Sequence, residues 1–427
     1  MLRWLNTTEP RVPDEWIRER PEPVAVGRPR RVMSRAQRVK ATRNKRRRRF
    51  VSSFSLVVLI VVVVGAVFLG SRLWHGVFGG GDDYAGDGGK DLVIEVHNGD
   101  STTTIAQTLH DKNVVATVKV FVEAAAKNTA IAAIQPGFYR VRTELPAADA
   151  VARLADPQNR VGRLVIPEGR QLDDVTDVKT KAVTKGIFSL ISDATCVNLD
   201  GTTQCVKAQD MQQAAKTAEP SALSIPDWAL GPVKALGADH RRIEGLIAPG
   251  TWNVDPSATG QQVLSTLIGA SVSQYEQEGL LEAGAEQNLS PYQVLTVASL
   301  VQKESQPQDF GKVARVIYNR LVAPDHRKLE FDSTVNFSLD RQEVATTDAD
   351  RAADTPWNTY AREGLPATPI CSPGQPALAA AERPEPGDWL YFVTVDLQGT
   401  TLFTHDYPQH LANIELARRN GVLDSAR

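Results

Sequence analysis

Several chemistries are excluded because their motifs are missing. The 427-residue chain has no H-E-x-x-H, no G-x-S-x-G and no phosphate-binding glycine loop, so it is not read as a zinc protease, a serine hydrolase of that type or a P-loop nucleotidase. Asp348-Ala349-Asp350 lacks both the glycine and the distal glutamate of a calcium loop. His405 and His410, five apart, have no further ligands at zinc spacing nearby. No metal or organic cofactor is called for. Cysteine is scarce as well, with three in the whole chain.

Net charge is also nearly absent, at −2, but this conceals an asymmetry: residues 1–50 hold 16 Lys/Arg against 5 Asp/Glu, and the remainder 32 against 45. The two parts face different surroundings. Between them, residues 50–71 include the uncharged run FVSSFSLVVLIVVVVGAVFLG, long enough as a helix to span roughly 30 Å and so to cross a bilayer once. Lys45 and Arg46–Arg49 abut its start, whereas only Arg72 follows closely. That bias predicts a cytoplasmic N-terminus and an extracytoplasmic remainder at the plasma membrane. A cleaved signal peptide is the alternative, but fifty residues make a long leading segment and no clear A-x-A site follows. Residues 1–49 read as a disordered basic tail that serves topology and contacts anionic lipid, not nucleic acid. The Gly/Asp-rich stretch within 72–91 reads as a flexible tether.

Beyond the tether the pattern is strand (Leu92–Val96), helix with Ser101 as N-cap, helix (Val118–Ala126) and strand (Gly137–Val141). A helix at about Ala147–Leu154 and a strand at Arg163–Ile166 follow. Cys196 and Cys205 bracket a polar Asn-Leu-Asp-Gly-Thr-Thr turn and either pair across a hairpin in an oxidising compartment or stay unpaired. Cys371 has no obvious partner. A further helix is expected from about Gly260 to Glu278.

The run Leu295–Ser305 (LTVASLVQKES) then places Val294, Val297, Ala298 and Val301 on one helical face, and Glu304 continues the stripe. Pro307 stops the helix, so a carboxyl lies at its C-terminal end. Burial and neighbouring carbonyls there disfavour the charged form, as a general acid requires. The other reading of the residues alone is a glutamate turned to water on a frayed last turn.

Leu295–Leu321 as a whole resembles the signature of the endolytic murein transglycosylases, the MltG or YceG-like family. Further blocks follow in the family's order: Leu329-Glu330-Phe331-Asp332-Ser333-Thr334-Val335, Trp357-Asn358-Thr359-Tyr360, Gly364-Leu365-Pro366 with Ile370–Gly374, and Leu390–Val393. The resemblance implies that Glu304 is the catalytic acid. Within the matching blocks Gln302, Asn319, Asp332, Asn358 and Tyr360 are candidate substrate-binding residues, and Trp357 and Tyr360 candidate sugar platforms. For Asp332 and Asn358 capping or turn formation is the competing role, and for the aromatics packing.

Ile243–Trp252 is similar to another family block, in which Glu244 either lines the cleft or pairs with Arg241 or Arg242. Pro167–Leu172 matches the family's turn into the next helix. The strand–helix–helix–strand unit resembles the family's LysM-like subdomain, read either as a glycan-binding groove or as a scaffold without a ligand. Two departures fall at the rim: Thr401 where members often have histidine, and Ala367-Thr368-Pro369 where they have a proline-rich turn.

The expected architecture is α+β: a single transmembrane helix, then an exported LysM-like βααβ subdomain (92–160), then an α+β catalytic domain (161–427) with an insertion at about 185–241. The resemblance implies an endolytic lytic transglycosylase acting on peptidoglycan glycan strands beside peptidoglycan synthases. The competing functions are a hydrolytic muramidase and a non-catalytic peptidoglycan-binding scaffold.

Overall fold

The computed structural model describes residues 83–342 and 346–422. The basic tail, the apolar run 50–71 and most of the tether lie outside the described residues. Among the described residues no helix is long and apolar enough to cross a membrane. The fold is mixed α and β, with short strands and many helices.

Two apolar cores divide the described chain. The smaller gathers Ile94, Leu109, Phe121, Val141 and Leu154. Strand Asp91–Val96 pairs antiparallel with Gly137–Arg142, Ile94 opposite Tyr139, and Arg160–Val161 extends the sheet. Two helices, Thr102–Asp111 and Val118–Ala125, cross over between the paired strands, each opened by a hydroxyl cap from Ser101 or Thr117. Helix Ala147–Ala155 completes the core with Ala150, Val151 and Leu154.

The larger core runs from Leu164 to Ala381. One of its short sheets is the antiparallel pair Arg163–Ile166 against Gly250–Asn253, which puts Leu164 and Ile166 into the core. The region 185–241 is woven into this core: Ile187, Phe188, Ile191, Met211, Ala215, Ala229 and Val233 are all buried in it. These residues are therefore packed as part of the larger core.

Pro167–Leu172 does not lead straight into a helix. A hairpin comes first, Val175–Asp177 paired with Val183–Thr184, and its first strand also runs parallel to Arg341–Gln342. Helix Ile187–Thr195 begins only after it. The hairpin closes at its base, where the N–H groups of Ile187 and Phe188 donate to the carbonyls of Gln171 (2.9 Å) and Leu172 (3.1 Å). Gly186 permits this approach, since a Cβ there would lie 2.2 Å from the Asp173 carbonyl carbon.

Cys196 and Cys205 are joined by a disulfide across the next hairpin. Its tip reaches the smaller subdomain through reciprocal bonds: the Asp91 N–H donates to Asp200 Oδ1, and the Asp200 N–H to Asp91 Oδ2, both 3.1 Å. Cys371 is a buried free thiol.

At the centre lies helix Pro291–Glu304. It opens with a reciprocal capping box, Ser290 with Gln293, and has Pro291 in its first turn. Every residue from Val294 to Val301 is buried, because neighbouring helices, Leu280–Glu286, Phe310–Val322 and Gln375–Glu382 among them, pack around it. The single apolar stripe understates this; Thr296 and Ser299 are carried in the core because their hydroxyls donate to the carbonyls of Tyr292 (2.8 Å) and Thr296 (2.7 Å). Ser305 is extended, and Pro307 opens a short turn into the next helix.

Candidate active site

The last residue of the central helix forms the floor of an open cleft of about 290 Å3. Lys303 and Glu304 come from the helix end. One wall is Gly169–Gln171 with Asp173 and Lys185 of the hairpin region, and the other is Asp332, Ser333 and Arg341. Glu304 is partly buried. Ser333, in the first turn of helix Asp332–Ser338, donates its hydroxyl to Glu304 Oε1. Burial pushes the Glu304 carboxyl up to about 7; the Ser333 bonds and the Lys303 charge oppose this, while the Asp332 charge adds to it. Burial thus outweighs the bonds that favour the anion. Near neutrality the group is poised to give up a proton.

Asp332 lines the same cleft, next in sequence to Ser333. Its carboxylate accepts from Thr346 Oγ1 (2.7 Å) and the Tyr360 hydroxyl (2.9 Å), and pairs with Arg351 at 3.2 Å. Tyr360 stands behind Asp332, its ring 5.0 Å from the Arg351 guanidinium. Asp332 is thus an oriented anion beside the acid, and Tyr360 helps to orient it.

The other candidate binding residues are turned to the backbone. Gln302 accepts from the Gly374 N–H at 2.8 Å. Asn319 donates to the carbonyls of Gly387 (3.2 Å) and Trp389 (2.9 Å). Asn358 is buried, donates to the carbonyls of Ala353, Arg351 and Asp350, and accepts from the Tyr360 N–H. None of these three lines the cleft. Their amides satisfy loop backbone that would otherwise be buried unpaired. Trp357 is no exposed sugar platform: it is buried and donates Nε1–H to Thr368 Oγ1 at 2.8 Å. Thr368, one of the two departures from the family pattern, thus supplies a partner to a family aromatic. Thr401 lies on strand Thr401–Thr404, opposite Thr394.

Neither expectation for Glu244 holds. It does not line the cleft, and it makes no ion pair with either arginine: Arg241 pairs with Asp239 at 3.0 Å, and Arg242 donates to backbone carbonyls, that of Ala215 at 2.6 Å. Gly245 turns the chain at φ +76°, where a Cβ would lie 2.4 Å from Pro369 Cβ, and Glu244 is sealed inside at 1% exposure. Its Oε2 accepts from the Leu172 N–H at 3.2 Å, and its Oε1 has no partner. Burial raises its carboxyl to about 8.

Sequence reasoning missed three residues at the site. Ser333 lay unremarked inside a quoted block, next to Asp332. Asp173 and His240 belong to no block, and they meet only in the fold: His240 Nε2 lies 2.5 Å from Asp173 Oδ2, while Gln212 donates to Asp173 Oδ1 at 2.6 Å. Burial pushes the Asp173 carboxyl upward, but the bond and charge of His240, with Gln212 and Arg241, outweigh it and hold the carboxyl below its usual value.

A carboxyl raised by burial to about 7 in an open cleft, with charged residues on both walls, has the properties a general acid needs. The sequence profile of the YceG-like family matches residues 94–416, and the chain belongs to that family. It is 25% identical over 324 residues to an endolytic murein transglycosylase of Bacillus subtilis (strain 168), covering 74% of this chain and 82% of that protein. It is also 25% identical over 354 residues to the endolytic murein transglycosylase of Streptococcus pneumoniae serotype 2 (strain D39 / NCTC 7466), covering 76% of this chain but only 58% of the pneumococcal one. A crystal structure of a YceG-like protein from Listeria monocytogenes shares 25% identity, covering 75% of this chain and 98% of that one, with a TM-score of 0.48.

Proposed function

We propose that this chain is an endolytic peptidoglycan lytic transglycosylase with Glu304 as its acid. The observation that carries the reading is the Glu304 carboxyl, raised by burial to about 7 and set in an open cleft. Family membership and relatives named endolytic murein transglycosylases support it.

In this mechanism Glu304 gives its proton to the glycosidic oxygen between N-acetylmuramic acid and N-acetylglucosamine. The bond to the muramoyl anomeric carbon breaks, its electron pair passing to the departing oxygen, and positive charge develops at that carbon and the ring oxygen. The muramoyl 6-hydroxyl then attacks the same carbon and returns its proton to the Glu304 carboxylate. The products are a 1,6-anhydromuramoyl end and a free 4-hydroxyl, and no water is consumed. Intramolecular attack provides the nucleophile at high effective concentration. Because the acid must be protonated, kcat/KM should be flat below pH 7 and fall above it.

The apolar run 50–71 would anchor the chain in the plasma membrane with its basic tail in the cytoplasm, so that the cleft meets nascent strands close to the bilayer, beside the synthases that extend them. The 92–160 subdomain would add a LysM-like hold on the glycan. A hydrolytic muramidase is the second reading, favoured by one observation: Asp173 and Asp332 provide the cleft with carboxylates besides Glu304, as hydrolysis usually requires.

Mass spectrometry of uncrosslinked glycan strands incubated with the full chain, native and Glu304→Gln, separates the readings. Anhydro-ended internal fragments from the native chain, and none from the variant, are expected. Reducing muramic ends would identify a hydrolase, and intact strands with binding retained would identify a scaffold.

A further inference from the structure

The wall facing the acid carries a carboxylate that the mechanism above leaves unused. Asp173 lines the same cleft as Glu304. A solvated surface aspartate needs no support, yet this one is gripped from two elements: His240 at 2.5 Å from the turn before Glu244, and Gln212 at 2.6 Å from helix Ala208–Thr217. The two grips fix both carboxylate oxygens, so neither the rotamer nor the charge is left to solvent. Asp332, the other carboxylate of the cleft, is turned to Arg351, Thr346 and Tyr360.

Cleavage builds positive charge at the muramoyl anomeric carbon, and a fixed anion beside it lowers the barrier because it needs no reorganisation during the step. Two carboxyls whose surroundings drive them in opposite directions, one neutral and one ionised, divide the roles of acid and charge stabiliser between them. We propose that Asp173 is a second catalytic residue, the anion that stabilises the developing oxocarbenium charge, and that His240 and Gln212 are the residues that position it. The role rests on the transglycosylase reading of the Glu304 site. It forms no bond and moves no proton, so the balance of the reaction stays as written.

The experiment compares kcat and KM of the full native chain, Asp173→Asn and Glu304→Gln on uncrosslinked glycan strands, with thermal melting of each. A fall in kcat of about 10²-fold or more in Asp173→Asn, with KM little changed, is expected. A kcat within threefold of native, or a loss carried entirely by KM, overturns the role. No cleavage by the native chain overturns the transglycosylase reading itself, and this role falls with it.

Should Asp173→Asn not fold, His240→Gln decides through its pH profile. The groups that bear on Asp173 are His240, Arg241, Asp340 and Glu244. In the native chain Asp173 stays ionised down to below its usual value, so activity persists into acid. Without the histidine, the low-pH limb of kcat/KM should rise into or above the ordinary carboxylate range. A limb that does not move refutes the proposal.

Discussion

Replacing Glu244 by glutamine should stabilise the protein at neutral pH, and by an amount that grows with pH. In the folded chain the Glu244 carboxyl is raised from 4.5 to about 8 by burial, whereas in the unfolded chain it ionises at the ordinary value. Between those values the folded state holds a proton that the unfolded state has lost, so stability falls by about 1.4 kcal/mol for each pH unit. The favourable contribution is fully present below pH 4.5 and is lost as pH rises through about 8. From pH 4.5 to pH 7 this penalty reaches about 3 kcal/mol. Glutamine does not ionise, and its oxygen can still accept from the Leu172 N–H. Its amide nitrogen would occupy the place of the unpartnered Oε1, and an unsatisfied donor there costs about 1–2 kcal/mol at every pH.

Glu244→Gln should therefore be weaker than native by about 1–2 kcal/mol at pH 4.5 and more stable by about 1–2 kcal/mol at pH 7. Chemical unfolding followed by tryptophan fluorescence measures it, because Trp228, Trp252 and Trp357 all belong to or pack on the larger core. Glu304 and Glu382 carry similar dependences, both raised to about 7, and these cancel between the two proteins. A difference between variant and native that stays constant from pH 4.5 to pH 8 would refute the reasoning.

Two other perturbations test separate parts of the structure. Ser333→Ala removes a hydrogen bond that favours the charged form of Glu304, so the alkaline limb of kcat/KM should move above pH 7 while the melting temperature stays near native; a limb moving to lower pH would contradict the assigned sign. Cys196→Ser with Cys205→Ser opens a loop closed across a sequence separation of nine, which should cost about 2–3 kcal/mol and leave a melting temperature that reductant no longer lowers. Native protein whose melting is indifferent to reductant would show that the bridge contributes little.

How far the sequence speaks depends on whether its signals are local. Caps and periodicity place Thr102–Asp111 and Gly260–Glu278 correctly, and the alternation of Arg163–Ile166 is a half-buried strand. The place of Glu304 at a helix end is legible from one stripe and one proline, whereas the role expected of it comes from the family resemblance. The side chains around it are harder: Asn319 and Asn358 look like ligand-binding amides, and only the fold reveals the loop carbonyls that occupy them. Glu244 sits beside two arginines in sequence, yet Gly245 turns it inward while they turn away. Asp173 and His240 lie 67 positions apart, and no local pattern couples residues so distant. The hairpin after Leu172 escaped because its strands are two or three residues long, below the length at which alternation can be read.

That hairpin is tied off at its base by the bonds from Ile187 and Phe188 to Gln171 and Leu172, so its tip, residues 178–182 between the paired strands, can change length while Asp173 at the base keeps its place. The tip's length is then nearly free to drift, since doubling a loop costs only about 0.6 kcal/mol. The acid comes from a helix packed on every side, where a single methylene is felt. Acidity and grip are accordingly inherited through different parts of the molecule. On the proposed reading, the tip of the wall that a glycan strand would meet can be redrawn while Glu304 and Asp173 keep their places.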